Sequence, residues 1–314
     1  MTMKWLWCGV VGVAGLTLLY YGAEWMVRGG VSIARKCRIS PLVIGLTLVA
    51  FATSAPELVV SILSALGGKG DVSLGNVIGS NICNISVILG LSALIAPSAV
   101  NRKMLKLDMP LLLGITLLLA FSAYFLGGVG RLAGAVLLLI GIAYTVFQIR
   151  SSRQENAETE EEETILKLHW AALLTLLGIG SLMLGAKLFL TSAVFAAEKF
   201  GIPDAVIGLT IVALGTSLPE LATSAVAAFK GEQDIAIGNV VGSNILNILV
   251  IMGIAPLIHP ICAPGIALAD LAMMLGTTLA LALVMKFRPA ISRLTGGAFL
   301  LAACLYSAYL ISRV

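Results

Sequence analysis

The chain has 314 residues, of which 59% are hydrophobic and only 11% are charged, with a formal net charge of +4. Soluble domains carry about 25% charged residues, so this composition excludes a soluble globular protein. The chain is predicted to be an all-α membrane protein.

Ten apolar segments follow one another along the chain, and each is close to the length of about 20 residues that a transmembrane helix needs. They cover residues 5–27, 41–66, 72–96, 109–126, 130–147, 168–190, 205–229, 235–258, 266–284 and 295–311. The first segment lacks a convincing cleavage site for a signal peptide, so we expect it to stay in the protein. The sequence therefore predicts ten transmembrane helices.

One stretch of sequence occurs twice. Residues 43–90 and 206–253 are identical at 28 of 48 ungapped positions, with a constant offset of 163. Past Gly90 the match continues more weakly at an offset of 162, which pairs Asp108 with Asp270 and Tyr144 with Tyr306. Each half therefore holds five predicted helices. Because five is an odd number, the second half is expected to enter the membrane inverted relative to the first.

Lysine and arginine set the expected orientation, because they concentrate in cytoplasmic connections. They are frequent in the first, third, fifth and ninth connections and sparse in most of the others, so both termini are predicted to lie outside the cell membrane. The domain prediction is a first repeat at 1–150, an acidic cytoplasmic linker at 151–167 and a second repeat at 168–314. Six of the chain's sixteen acidic residues lie in the linker, which we interpret as a solvated spacer rather than a calcium sensor or regulatory tail.

Each copy of the repeat carries a glutamate, Glu57 or Glu220, inside an apolar segment. An ionisable residue in mid-membrane costs several kcal/mol and is a functional candidate by default. Positions i, i+3, i+4 and i+7 share one helix face. The two faces defined in this way carry Ala50, Thr53, Ser54 and Glu57 in the first copy, and Ala213, Thr216, Ser217 and Glu220 in the second.

Each glutamate directly follows a proline, Pro56 or Pro219, which has no N–H group and disrupts the preceding turn. We therefore expect broken helices that expose backbone oxygens to a cation. The next helix adds two pairs at i and i+4, Ser80 with Asn84 and Ser243 with Asn247. With no sulfur or imidazole in the motif, these oxygens favour a hard cation such as Ca²⁺ or Na⁺.

Several residues of the motif have a second interpretation. Ser80 and Ser243 could serve helix packing through small residues. Asn76 and Asn239 could be ligands or could bond freed backbone groups. Asp108 and Asp270 are interpreted as structural, because each opens a predicted helix, where carboxylates are favoured.

The paired G-[TS]-S-x-P-E and G-N-x-x-G-S-N segments resemble the alpha repeats of the cation/calcium exchanger superfamily, specifically its prokaryotic sodium/calcium exchangers. The resemblance implies a secondary antiporter that exchanges Ca²⁺ for Na⁺ by alternating access, with net charge moving alongside Na⁺. It implies no enzyme activity and no cofactor, and the expected partners are the two ions and membrane lipids, without nucleic acid. The antiporter is expected to function as a monomer in the cell membrane.

The resemblance also implies a role for each matching residue. Glu57 and Glu220 would bind Ca²⁺ with main-chain oxygens of Thr53 and Thr216. The Na⁺ sites would add Ala50, Ser54, Ser80, Asn84, Ala213, Ser217, Ser243 and Asn247. The first and sixth helices would slide across the others.

Four other functions stay open at this point, and one of them, a non-transporting membrane scaffold, would leave the duplicated glutamates unexplained. A proton/calcium antiporter would use the same glutamates, although the G-N-x-x-E pattern of that family is absent, since Gly79 and Gly242 occupy its acidic position. A potassium-dependent exchanger is disfavoured by Asn247, where such relatives have aspartate. A passive cation channel belongs to another class, and its flux would need no counter-ion.

Overall fold

The computed structural model describes residues 2–155, 166–201 and 213–312, and nearly all of these residues are helical. In chain order the helices are α1 (Thr2–Lys36), α2 (Pro41–Thr53), α3 (Ala55–Leu66), α4 (Gly70–Ile95), α5 (Met104–Phe125), α6 (Arg131–Glu155), α7 (Leu168–Lys199), α8 (Ala213–Thr216), α9 (Leu218–Phe229), α10 (Gln233–Ile258), α11 (Leu268–Phe287) and α12 (Arg293–Ser312).

Eight of the described helices are long and apolar enough to cross a membrane, and α2 with α3 forms a ninth, bent span. The prediction of a helical membrane protein is thereby confirmed. Helix α9 is shorter, and most of the first half of the predicted span 205–229 lies outside the described residues.

Both glutamate-bearing segments are broken where the prolines predict it. Between α2 and α3 the chain turns at Ser54 and the two helices meet at an angle of 47°. Between α8 and α9 it turns in the same way at Ser217, and Pro56 and Pro219 each lie in the first turn that follows. The breaks place Glu57 and Glu220 in the first turns of α3 and α9.

Four two-residue strands tie the halves of the chain together. They are β1 (Ser98–Ala99), β2 (Gly128–Val129), β3 (Ile261–Cys262) and β4 (Ala290–Ile291). Strand β1 pairs with β4 and β2 pairs with β3, both antiparallel. Each pair therefore joins one strand from the first half to one from the second.

Helices α1 and α7 pack closely along a seam of glycines. A side chain on Gly15 would lie 2.9 Å from the carbonyl oxygen of Gly185, and one on Gly22 would lie 3.0 Å from that of Gly178. Position rises along α1 as it falls along α7, so the two helices run antiparallel. Small residues allow such close backbone approach in membranes.

Helix α2 packs equally closely on α10. A Cβ atom on Gly238 would lie 2.7 Å from the carbonyl oxygen of Leu42, and one on Gly242 would lie 2.5 Å from that of Leu46. The equivalent glycines of the first half have no such close contact with the described residues. A Cβ atom on Gly75 would meet Ile266 at 3.7 Å, and one on Gly79 would meet no atom of the described residues within 4 Å.

Candidate functional site

The two glutamates lie fully buried and are bonded across the halves of the chain. Ser217 donates to Glu57 Oε1 at 3.1 Å, and Ser54 donates to Glu220 Oε1 at 2.9 Å. Each carboxylate is therefore oriented by the serine at the helix break of the other half. The structure brings these four predicted residues together.

Asn76 and Asn239 hold the backbone of the two glutamates. Asn76 Nδ2 donates to the carbonyl oxygen of Glu57 at 3.1 Å, and Asn239 Nδ2 donates to that of Glu220 at 3.3 Å. The same groups reach Ser61 and Ser224 at 3.0 and 2.9 Å. Of the two interpretations of these asparagines, the structure favours bonding to backbone. Both position the glutamates from the neighbouring helices α4 and α10.

Four asparagines from α4 and α10 form a buried, reciprocal network. Asn84 Nδ2 donates to Asn244 Oδ1 at 2.9 Å, and Asn247 Nδ2 donates to Asn81 Oδ1 at 3.0 Å. Asn81 and Asn244 each donate to the other's backbone carbonyl at 3.3 Å. The inner pair thus fixes the orientation of the two predicted ligands, Asn84 and Asn247.

Asn84 and Asn247 also begin equivalent π-helical turns, Asn84–Leu89 and Asn247–Ile251. Such turns are rare and occur frequently at functional sites. They widen the helix at the position where these side chains leave it. We missed Asn81 and Asn244 in the sequence, although their identity in both repeats, three residues before a predicted ligand, was a usable signal.

Five buried oxygens of predicted site residues have no hydrogen-bond partner within the described parts of the chain. They are Glu57 Oε2, Glu220 Oε2, Asn84 Oδ1, Asn247 Oδ1 and Ser243 Oγ. Leaving a buried polar atom without a partner costs roughly 1–3 kcal/mol, and more when the group is charged. Carboxylate, amide and hydroxyl oxygens are the ligands that hard cations prefer. The donor set fits Ca²⁺ and Na⁺ as cargo.

The remaining predicted residues lie around this cluster. Thr53 is buried, and its hydroxyl contacts Asn239 Oδ1 at 3.0 Å and the carbonyl of Ala50 at 3.3 Å. Ser80 is buried and lines a cavity of about 140 Å³ with Asn76. In the second half, Ala213 and Thr216 are the first and last residues of α8, and Thr216 interacts with Glu57.

Comparisons with known proteins find relatives that match most of the chain. The family profile described as "Sodium/calcium exchanger protein" matches residues 7–150 and 170–312. The chain is 40% identical to the putative antiporter CaxA of Alkalimonas amylolytica over 285 residues, which cover 87% of this chain and 88% of that protein. It is 32% identical to the sodium/calcium exchanger MaX1 of Methanosarcina acetivorans over 303 residues, which cover 81% and 84% of the two chains.

The structure is also similar to a solved structure of the sodium-calcium exchanger NCX_Mj soaked with 2.5 mM Na⁺ and 10 mM Sr²⁺. The TM-score is 0.85 at 34% sequence identity, and the match covers 97% of this chain and 99% of that one. The similarity therefore extends over both halves of the chain.

Proposed function

The chain belongs to the sodium/calcium exchanger family, and from this premise we propose that it is a secondary antiporter that exchanges Ca²⁺ for Na⁺ across the cell membrane by alternating access. Members of this family are transporters rather than enzymes, and the ions are cargo rather than cofactors. The observation that carries the proposal is the cluster of five buried oxygens without partners, two of them from carboxylates.

Glu57 and Glu220 are the proposed Ca²⁺ ligands, together with main-chain oxygens of Thr53 and Thr216. Two ionised carboxylates neutralise the double positive charge of one Ca²⁺. Unpaired, they would carry two negative charges in a medium of low dielectric constant, at high cost. An empty carrier should therefore switch between its two faces far less readily than a loaded one, which is the condition for obligatory exchange.

Na⁺ would occupy the same region in several positions. Ser243, Asn84 and Asn247 supply oxygens without partners, and Ala50, Ser54, Ser80, Ala213 and Ser217 complete the proposed set. Because the two carboxylates balance only two of the positive charges, additional Na⁺ would leave net positive charge moving with sodium. The exchange is therefore proposed to be electrogenic.

We further propose ten transmembrane helices in two inverted repeats, 1–150 and 168–314, joined by the acidic linker 151–167. The reciprocal bonds Ser54 to Glu220 and Ser217 to Glu57 support a two-fold relation between the halves, as do the reciprocal strand pairs. The site is completed by the two halves of one chain, which is consistent with function as a monomer. Both termini are proposed to lie outside.

The close packing of α2 on α10 supplies one gate. Helix α2 begins after the basic first connection, which is predicted to be cytoplasmic, and leads directly to Thr53 and Ser54. Its contacts with Gly238 and Gly242 therefore seal the cluster from that side. The antiparallel pair α1 and α7 is the proposed moving part, because its glycine seam lets the two helices travel as one body.

A test of coupling uses purified protein in liposomes. An outward Na⁺ gradient should drive uptake of radioactive Ca²⁺, because Na⁺ leaving through the carrier returns it to the Ca²⁺-binding face. An interior-negative potential should slow that uptake, because net positive charge must leave. Protein-free liposomes give the background.

The other functions predict different results in the same assay. Uptake driven by a proton gradient without Na⁺ would identify a proton antiporter. A requirement for K⁺ at fixed membrane potential would identify a potassium-dependent exchanger. Flux that persists without any counter-ion would identify a channel. Each of these outcomes would contradict the proposal.

A second prediction concerns Asn247. Wild-type exchange should proceed equally with K⁺ or an inert organic cation as the balancing salt, because a neutral amide adds no charge to hold another monovalent ion. Asn247→Asp should make exchange more sensitive to acid, since the new carboxylate can take up a proton that competes with cations. It also replaces the amide that donates to Asn81 Oδ1. Rates measured across a pH series check this. An identical acid dependence in mutant and wild type would contradict it.

A further inference from the structure

A second cluster of buried polar groups lies where α5 and α6 meet. In each half of the chain a tyrosine on the last helix donates to an aspartate on the helix before it. Tyr144 donates to Asp108 Oδ1 at 2.9 Å, and Tyr306 donates to Asp270 Oδ1 at 2.9 Å. These pairs are equivalent at the offset of 162, so the second half is a natural reference for the first.

The two aspartates differ in what their other oxygen contacts. Asp270 lies in the first turn of α11 and its Oδ2 accepts from the backbone N–H of Ala267 at 3.2 Å, as a helix cap. This confirms the structural interpretation of Asp270. Asp108 lies instead at the end of the π-helical turn Met104–Asp108, inside α5, and its side chain makes no cap hydrogen bond within the described residues. Its Oδ2 is fully buried without a partner, so the side chain of Asp108 does not cap a helix as that of Asp270 does.

Gln148, which contacts Asp108 from α6, has no polar counterpart in the second half. Gln148 is fully buried, and its Nε2 donates to Asp108 Oδ1 and to Tyr144 Oη. This leaves Gln148 Oε1 as a second buried acceptor without a partner. The equivalent position in the second half is Leu310. The first half alone therefore combines a carboxylate and an amide oxygen, both buried and both lacking a donor.

We propose that Asp108 and Gln148 form a second binding site, which takes one monovalent cation between Asp108 Oδ2 and Gln148 Oε1. One positive charge neutralises the single carboxylate and gives both acceptors a partner, which removes the cost of burying them alone. The ligand is a small, hard cation with a single positive charge, and the two candidates are Na⁺ and the proton. A divalent ion would be left half neutralised by the single carboxylate.

The positive charge of Lys103 acts on Asp108 through space. Its ammonium group donates to Ser151 Oγ at 3.1 Å. The proposed site therefore lies beside Lys103 at the end of α6 that leads to the acidic linker, which is predicted to be cytoplasmic. It shares no residue with the central cluster and does not rest on the proposed exchange.

The test uses the full-length protein in detergent with Glu57→Gln and Glu220→Gln, which remove the central carboxylates. Into this background Asp108→Asn, Asp270→Asn and Gln148→Leu are introduced singly. Binding of radioactive Na⁺ tests whether Na⁺ occupies the proposed site. The infrared absorption of a protonated carboxylic acid, recorded without Na⁺, tests whether a proton occupies it. Leucine already occupies the position equivalent to Gln148, so Gln148→Leu is expected to fold.

We expect Asp108→Asn to remove one bound Na⁺ per chain or one carboxylic acid band, and Asp270→Asn to leave both signals unchanged. Gln148→Leu should weaken Na⁺ binding at least about tenfold, or shift the acid band to the frequency of a carboxyl with fewer hydrogen bonds. The proposal is overturned if neither signal responds to Asp108→Asn, or if the signal that does respond is unaffected by Gln148→Leu. A loss with Asp270→Asn equal to that with Asp108→Asn would overturn it as well.

Discussion

Glu57→Gln and Glu220→Gln should each reduce Ca²⁺ exchange to less than about 1% of the wild-type rate. Glutamine keeps the shape of the side chain but removes one of the two negative charges that balance Ca²⁺. It also places an NH₂ group among oxygens that would otherwise bind the ion. Breaking such a buried charge pairing costs at least about 3 kcal/mol, which corresponds to more than a hundredfold in binding. Uptake of radioactive Ca²⁺ into liposomes under an outward Na⁺ gradient is the measurement.

The matched control is Glu198→Gln, which makes the same change at an exposed glutamate on α7. It should exchange Ca²⁺ at the wild-type rate. Gel filtration and thermal unfolding show whether the site variants remain folded, as expected from the preserved shape. Wild-type exchange in a folded Glu57→Gln or Glu220→Gln protein would remove these residues from the proposed site.

Gly242→Ala should destabilise the protein and strongly reduce exchange. The added methyl group would lie 2.5 Å from the carbonyl oxygen of Leu46 and 2.6 Å from its Cα atom, both of which are backbone atoms. Backbone cannot rotate away as a flexible side chain can, so α2 must shift from α10, at a cost of roughly 1–3 kcal/mol or more. Because α2 leads directly to Thr53 and Ser54, that shift would also displace the site.

A control substitution is Gly114→Ala, at an exposed glycine within α5. No described atom lies within 4 Å of the added methyl group there, and alanine favours a helix over glycine by roughly 0.5–1 kcal/mol. We therefore expect an unchanged or slightly raised thermal stability. Thermal unfolding of both variants in detergent gives the comparison. Equal melting temperatures would show that the contact between α2 and α10 is not as close as described.

Much of the central cluster could be predicted because the chain contains two copies of the same segment, and these can be compared with each other. A polar residue that recurs at a fixed offset inside an apolar segment indicates selection for function in both places, and this identified Glu57, Glu220, Asn84 and Asn247. The helix breaks were equally predictable, because the geometry of proline acts within a few residues.

What the sequence could not provide is the pairing across the halves. Ser54 and Glu57 lie three residues apart, so helical spacing places them side by side, yet Ser54 bonds Glu220. The break at Ser54 and the packing of distant segments decide that contact, and neither follows from local spacing. The end of α1 was misjudged for a related reason. The prediction stopped at residue 27 because charged residues follow, but the helix continues to Lys36, since leaving the apolar layer does not end a helix.

The reciprocal strand pairs carry an evolutionary consequence. By the repeat offsets β1 corresponds to β3 and β2 to β4, yet β1 pairs with β4 and β2 with β3. This exchange is the pattern of an isologous contact between two identical subunits related by a two-fold axis. An ancestral protein with a single copy of the repeat would have left both of its strands unpaired within its own chain. It would have needed a second molecule to pair them. Gene duplication would have made that partner permanent by placing both copies in one polypeptide.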